Sequence, residues 1–174
     1  LQSIGLKVQR ISAVYGADLT DEEIARYYSL LLNQKQFFMP LKRAEIGCFL
    51  SHMRALETFV NDPEKSYVIV LEDDVEFIGN IEGYKYQWLD AVQQQEPRML
   101  KIFSRRKANG KRVNSQHDYS TIRPRIVPLG TQATIYNRAA AIKLLDTYGQ
   151  FGMPIDVAYQ HFWQHGVTVL VSAS

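Results

Sequence analysis

The chain has one cysteine, Cys48, in 174 residues. A lone thiol excludes an internal disulfide framework and a Cys-rich zinc site, and it fits a reducing compartment. Long apolar runs are also missing. No stretch approaches the roughly 20 residues a membrane-spanning helix needs, and no signal-peptide pattern is visible. Nor is there an excess of charge of one sign: Lys and Arg total 20 against 18 Asp and Glu. No overall field therefore favours nucleic acid, and an ionic partner must be met by a local patch. Repeats and low-complexity tracts are absent. The remaining composition, 46% hydrophobic and 22% charged, is that of one globular domain large enough for a full core.

One stretch organises what is present. Tyr67 to Leu71 is an unbroken apolar, β-branched run, which predicts a strand buried on both faces inside a sheet. Glu72, Asp73 and Asp74 follow it directly. Ligands of open α/β sheets sit at the carboxyl ends of strands. Adjacent carboxylates repel one another and favour a cation or deep solvation. In an extended chain Glu72 and Asp74 point to one side and Asp73 to the other. One face then offers two hard oxygen ligands of the kind Mn²⁺ or Mg²⁺ prefers. The alternative is a solvated acidic turn.

Around this stretch helix and strand alternate, which predicts an α/β fold. Residues 6–14 alternate and predict a strand broken at Gly16. Thr20 and Glu23 form a capping box for a helix to about Asn33, with Ile24, Tyr27, Tyr28, Leu31 and Leu32 on its apolar face. Phe37, Phe38 and Met39 are expected to fold onto the core. Apolar residues at three- and four-residue steps predict a helix over 44–60. Further helices are expected over 84–95 and from Asn137 to about 145, with Gly149 at the end of the second. Strands are expected over 99–104, 130–136 and 167–171, with an extended segment over 122–129. The basic segment from Arg105 to Arg112 surrounds an Asn-Gly turn. It reads either as a solvated hairpin tip or as a grip on phosphate, an anionic acceptor or a membrane surface. A turn delivers Asp156 to a helix start, where an N-cap is its structural alternative. His161 and His165 share a face of that helix, but no third ligand is near enough in sequence for a zinc site.

Five stretches together resemble glycosyltransferase family 25, the lipooligosaccharide galactosyltransferases and their collagen galactosyltransferase relatives. They are residues 10–16 (Arg-Ile-Ser-Ala-Val-Tyr-Gly), 44–52 (Ala-Glu-Ile-Gly-Cys-Phe-Leu-Ser-His), 70–75 (Val-Leu-Glu-Asp-Asp-Val), 130–136 (Gly-Thr-Gln-Ala-Thr-Ile-Tyr) and 154–156 (Pro-Ile-Asp). The resemblance implies a GT-A-like single domain over 1–174, with a mixed, mostly parallel sheet flanked by helices. It implies transfer of a sugar, galactose, from a UDP-sugar to a lipooligosaccharide or lipopolysaccharide acceptor, with inversion and with Mn²⁺ or Mg²⁺ as cofactor. Asp156 is then the catalytic base, and Glu72 and Asp74 the metal ligands. Glu45, Ser51, His52, Asp73, Thr131 and Gln132 are then placed toward donor or acceptor. For Glu45 and His52 the alternative is structural, a helix N-terminal acid and a half-buried hydrogen-bonder. The implied location is cytoplasmic, peripheral at the inner face of the bacterial inner membrane, with contact through Arg105 to Arg112. The family's usual opening strand has no counterpart before Leu1, so a chain short by that strand, and at its other end, is expected. Two other classes stay open: a phosphoryl-transfer enzyme with an acidic two-metal cage, and a binding domain that keeps the fold without transfer.

Overall fold

The computed structural model describes residues 6–76, 81–102, 108–116 and 119–173. The first surprise is residues 6–15, which form no strand. Two of their backbone groups are held instead by side chains of a long helix further along the chain. Ser51 Oγ accepts the Val14 N–H at 2.8 Å, and the Arg54 guanidinium donates to the Ser12 carbonyl at 3.1 Å.

Thr20 caps α1 (Asp21–Tyr27) through the expected capping box with Glu23. The helix does not continue to Asn33. Tyr28 leaves it to make an isolated parallel bridge with Phe151, and Ser29 starts α2 (Leu30–Gln36). The Ser29 N–H donates to the Phe151 carbonyl at 2.9 Å. That long-range tie replaces the local bond that would have carried the helix on. Leu31, expected on an apolar face, is exposed as a result. The loop after α2 also departs from expectation. Phe38 is 78% exposed and adopts φ +70°, a left-handed conformation uncommon for a bulky residue. Buried Asn33 holds it there, its amide donating to the Met39 and Gly152 carbonyls.

Helix α3 (Arg43–Val60) is the element the periodicity predicted, with Ile46, Phe49, Met53, Leu56 and Phe59 buried. It is followed by β1 (Tyr67–Leu71), α4 (Ile81–Val92), β2 (Arg98–Lys101), β3 (Gly110–Gln116) and β4 (Tyr119–Pro124). Then come β5 (Ala133–Asn137), α5 (Arg138–Thr147), α6 (Ile155–Gln160), α7 (Phe162–His165) and β6 (Thr168–Ala173). His161 lies between α6 and α7, so the two histidines do not share one helix. Residues 105–107 of the basic segment lie outside the described residues. Lys111 and Arg112 are exposed on β3.

Among the described residues six strands form one sheet in the order β1-β5-β2-β6-β4-β3. The α/β class stands, but the sheet is not mostly parallel. Only β2 and β6 pair in parallel, while β1–β5, β2–β5, β3–β4 and β4–β6 are antiparallel. The reversal arises because β5 inserts between β1 and β2 running against both. Among the described residues β1 is an edge strand, half-buried throughout instead of enclosed on both faces. One sheet face packs on the side of α3, α5 and α6, in a core that includes Phe49, Leu56, Met99, Tyr136, Leu144 and Tyr159. The other face packs on α4, where Trp88, Ala91 and Val92 meet Leu100, Ile135 and Leu170. No helix is long and apolar enough to cross a membrane, among the described residues.

Candidate active site

Because β1 and β2 both oppose β5, their carboxyl ends lie on the same side of the sheet. There the end of β1, with the loop before β5 and the starts of α3 and α6, borders a cleft of about 370 Å³. Glu45, Cys48, Glu72, Thr131, Gln132 and Asp156 all line it. Five of these were expected from sequence. The placement is the one open α/β sheets use for ligands.

Glu72 is fixed by the end of the β1–β5 ladder, its N–H donating to the Gln132 carbonyl at 2.9 Å. One carboxylate oxygen accepts the Thr131 hydroxyl and faces His52 Nε2 at 3.3 Å. His52 is only 5% exposed, and its Nδ1 has no hydrogen-bond partner. The chain turns immediately after Glu72, so the extended alternation of the three acids does not hold. Asp73 and Asp74 lie in that turn, exposed. Ser51 is used by the fold: it accepts from Val14 and donates to the Gly47 carbonyl at 2.7 Å. Glu45 lines the cleft and, at the start of α3, accepts the Lys42 N–H at 2.7 Å, the helix N-terminal position of its structural alternative.

Asp156 is not an N-cap; Pro154 occupies that position. Its Oδ2 accepts the Gly130 N–H at 3.1 Å and its Oδ1 accepts the Val157 N–H at 2.9 Å. Gly130 needs to be glycine there. Its φ is +91°, and a Cβ would stand 2.5 Å from Gln132 Oε1. That Gln132 oxygen is buried and has no hydrogen-bond partner.

Sequence reasoning missed Lys101. It ends β2 on the face that carries Met99, and only 1% of it is exposed. Its ammonium donates to the Pro128 carbonyl. Burial pulls its pKa down to about 8, and the nearby Asp156 carboxylate opposes that fall. The signal was in plain view: a lysine between Leu100 and Ile102 at an inward strand position is rare unless something holds it. Beneath the cleft, the hydroxyls of Tyr136 and Tyr159 bond each other at 2.7 Å.

The cleft is anionic. Cys48 opens onto it yet is partly desolvated, and its thiol is pushed up to about 11, by burial first and then by Glu72, Asp156 and Glu45. The arrangement supplies a clamped carboxylate at the strand end, a second carboxylate held by backbone N–H groups, and exposed acids in the adjacent turn.

A comparison with curated proteins gives no match. The family model for glycosyltransferase family 25 (LPS biosynthesis protein) matches residues 1–159, which takes in β1, its acids, the Gly130 turn and Asp156, and the chain belongs to that family.

Proposed function

We propose that the cleft moves a hexose, galactose, from a UDP-sugar to a hydroxyl of a lipooligosaccharide or lipopolysaccharide acceptor, with inversion at the anomeric carbon. The observation that carries this reading is the meeting of Asp156 and Glu72 in one cleft, from a helix start and a strand end far apart in sequence. In the step itself the acceptor oxygen bonds to the anomeric carbon and its proton passes to Asp156. The bond to the diphosphate breaks on the opposite face, and its electron pair leaves with the phosphate oxygen. The transition state is oxocarbenium-like, as in glycoside hydrolysis. Gly130 and Val157 hold the Asp156 carboxylate in one orientation, and each oxygen keeps lone-pair capacity for the proton.

The chemistry of the donor set fits a hard cation. Glu72 in the cleft and Asp74 in the turn beside it would hold Mn²⁺ or Mg²⁺ through carboxylate oxygens, the ligand type such ions prefer. Bound there, the cation would offset charge on the departing diphosphate. Asp73, Thr131 and the unpaired Gln132 oxygen are left to receive hydroxyls of the donor or acceptor sugar. His52 acts through Glu72 in this reading. A two-metal phosphoryl-transfer site is disfavoured. The one convergent group of three potential ligands among the described residues is Cys48, His52 and Glu72, in which two of the three are not oxygen donors.

The test is transfer from UDP-galactose, followed as UDP release in the presence of Mn²⁺. Asp156→Asn removes the base and, because an amide nitrogen cannot accept, one of the two backbone hydrogen bonds; it should cost roughly 10²–10⁴-fold in kcat. Unchanged turnover in a folded variant would remove Asp156 from the chemistry.

A further inference from the structure

Cys48, His52 and Glu72 play unequal parts in the reading above, yet they share one geometric property. One ligand atom from each lies within 4.8 Å of the other two. Cys48 and His52 are four residues apart on α3 and so face the same way. Glu72 approaches from the end of β1. In a tetrahedral zinc site with bond lengths of about 2.0–2.3 Å, ligand atoms stand about 3.3–3.8 Å apart. The pair His52 Nε2 and Glu72 Oε1 is already at 3.3 Å. The Cys48 thiol needs only a small side-chain adjustment to close the set, and its position on the cleft wall leaves room for one.

Two further observations set this group apart from an ordinary hydrogen-bond chain. The His52 ring is buried with Nε2 turned to Glu72 and no hydrogen-bond partner on Nδ1, so no protein acceptor fixes the proton on Nδ1 and leaves Nε2 committed as an ordinary donor. The Glu72 oxygen that faces the ring is also fixed by the Thr131 hydroxyl, the kind of outer contact that orients a metal-ligating carboxylate. Sulfur, imidazole and carboxylate together suit a borderline-soft ion and not the hard cation of the transfer step.

We propose that Cys48, His52 and Glu72 form a three-ligand site for a thiophilic divalent cation such as Zn²⁺, with its fourth position open to the cleft. The thiol loses its proton on binding, and the proton goes to solvent. Occupancy commits Glu72 and fills the cleft wall, so the ion opposes the hard-cation chemistry at the same carboxylate. The site stands whether or not the cleft transfers galactose, because it is defined by its own ligand atoms.

The experiment is direct metal binding by the full chain. Co²⁺ serves as the spectroscopic probe, and Zn²⁺ is titrated against a chromophoric chelator. Expected are one equivalent of tightly bound ion and a near-ultraviolet thiolate-to-Co²⁺ charge-transfer band. Cys48→Ser should abolish the band and weaken Zn²⁺ by at least about tenfold, given the loss of one ligand of three. Cys48 is on the cleft wall and the swap is near-isosteric, so folding is checked by circular dichroism and retained. Glu72→Gln should weaken the ion while keeping the thiolate band at saturation. Absence of the band in the parent chain, or Zn²⁺ affinity unchanged in Cys48→Ser, would overturn the proposal.

Discussion

Lys101 shows what a single buried residue can cost a fold and return to a site. Its folded pKa of about 8 lies below the ordinary 10.5 because burial disfavours the charged form. At pH values below 8 both folded and unfolded chains carry the proton, so the full penalty is present. It is relieved as pH rises from 8 toward 10.5. A shift of that size corresponds to about 3 kcal/mol of destabilisation at neutral pH. The return is positional. The ammonium holds the Pro128 carbonyl, and two residues on, the Gly130 N–H holds Asp156. Lys101→Met should therefore raise stability by about 1–2 kcal/mol near neutrality, after the unpaired Pro128 carbonyl is counted. It should lower kcat for sugar transfer by more than it changes donor KM. Urea unfolding and steady-state kinetics on one preparation check both halves. A variant that is more stable and equally active would show the lysine to be a bystander.

At the scale of elements, α3 is the piece against which others are placed. It presents Glu45 and Cys48 to the cleft, sets buried His52 against Glu72, and receives the N-terminal segment through Ser51 on another side. Gly47 makes the second contact possible, since a Cβ there would stand 2.6 Å from the Val14 carbonyl. Gly47→Ala must push backbone away from backbone, and should detach residues 6–15 and expose them to limited proteolysis near Lys7 and Arg10. Ser51→Ala removes only the hydroxyl. It should cost about 1 kcal/mol and leave donor KM where it is, which separates its tethering role from the donor contact its motif suggested. The helix itself was legible because 3.6-residue periodicity is local and strong. The capping box at Thr20 was legible for the same reason. The break at Tyr28 was not, because it is made by Phe151, distant in sequence. The missing strand over 6–14 and the outward Phe38 loop follow the same logic. Alternation and apolarity are local signals, and Ser51, Arg54 and Asn33 overrode them from other elements. For the site, the carboxylates were legible as an acid run and a Pro-Ile-Asp turn. Which of the three acids enters the cleft depends on where the β1–β5 ladder ends, and that is a pairing fact.

For the molecule as a whole, strand character could be read but strand direction could not. A two-residue period reports which side chains are buried, and it is blind to whether a neighbour runs up or down. So the α/β class survives while the mostly parallel sheet gives way to one parallel pair, β2 with β6. That pair is reached through α7 and a buried histidine. His165 is fully buried; its Nδ1 accepts the Val167 N–H at 3.0 Å, and its Nε2 lies 3.4 Å from the Tyr159 carbonyl. Those partners require the neutral ring with its proton on Nε2. Protonating Nδ1 breaks the bond that turns the chain into β6. Burial accordingly pulls the His165 pKa down to about 4 from 6.5, with the Tyr159 carbonyl opposing and His161 adding to the fall. Because the folded value is the lower one, the unfolded chain takes up the proton first as pH drops. The stabilisation is complete above 6.5, is lost progressively between 6.5 and 4, and is flat below. The shift amounts to about 3 kcal/mol over that window. Urea midpoints taken near neutrality and near ~pH 5 should fall steeply in the parent chain and much less in His165→Gln, which lacks the titrating ring. An equal acid loss in both would move the sensitivity elsewhere in the molecule, and β6 would then be held by contacts other than this ring.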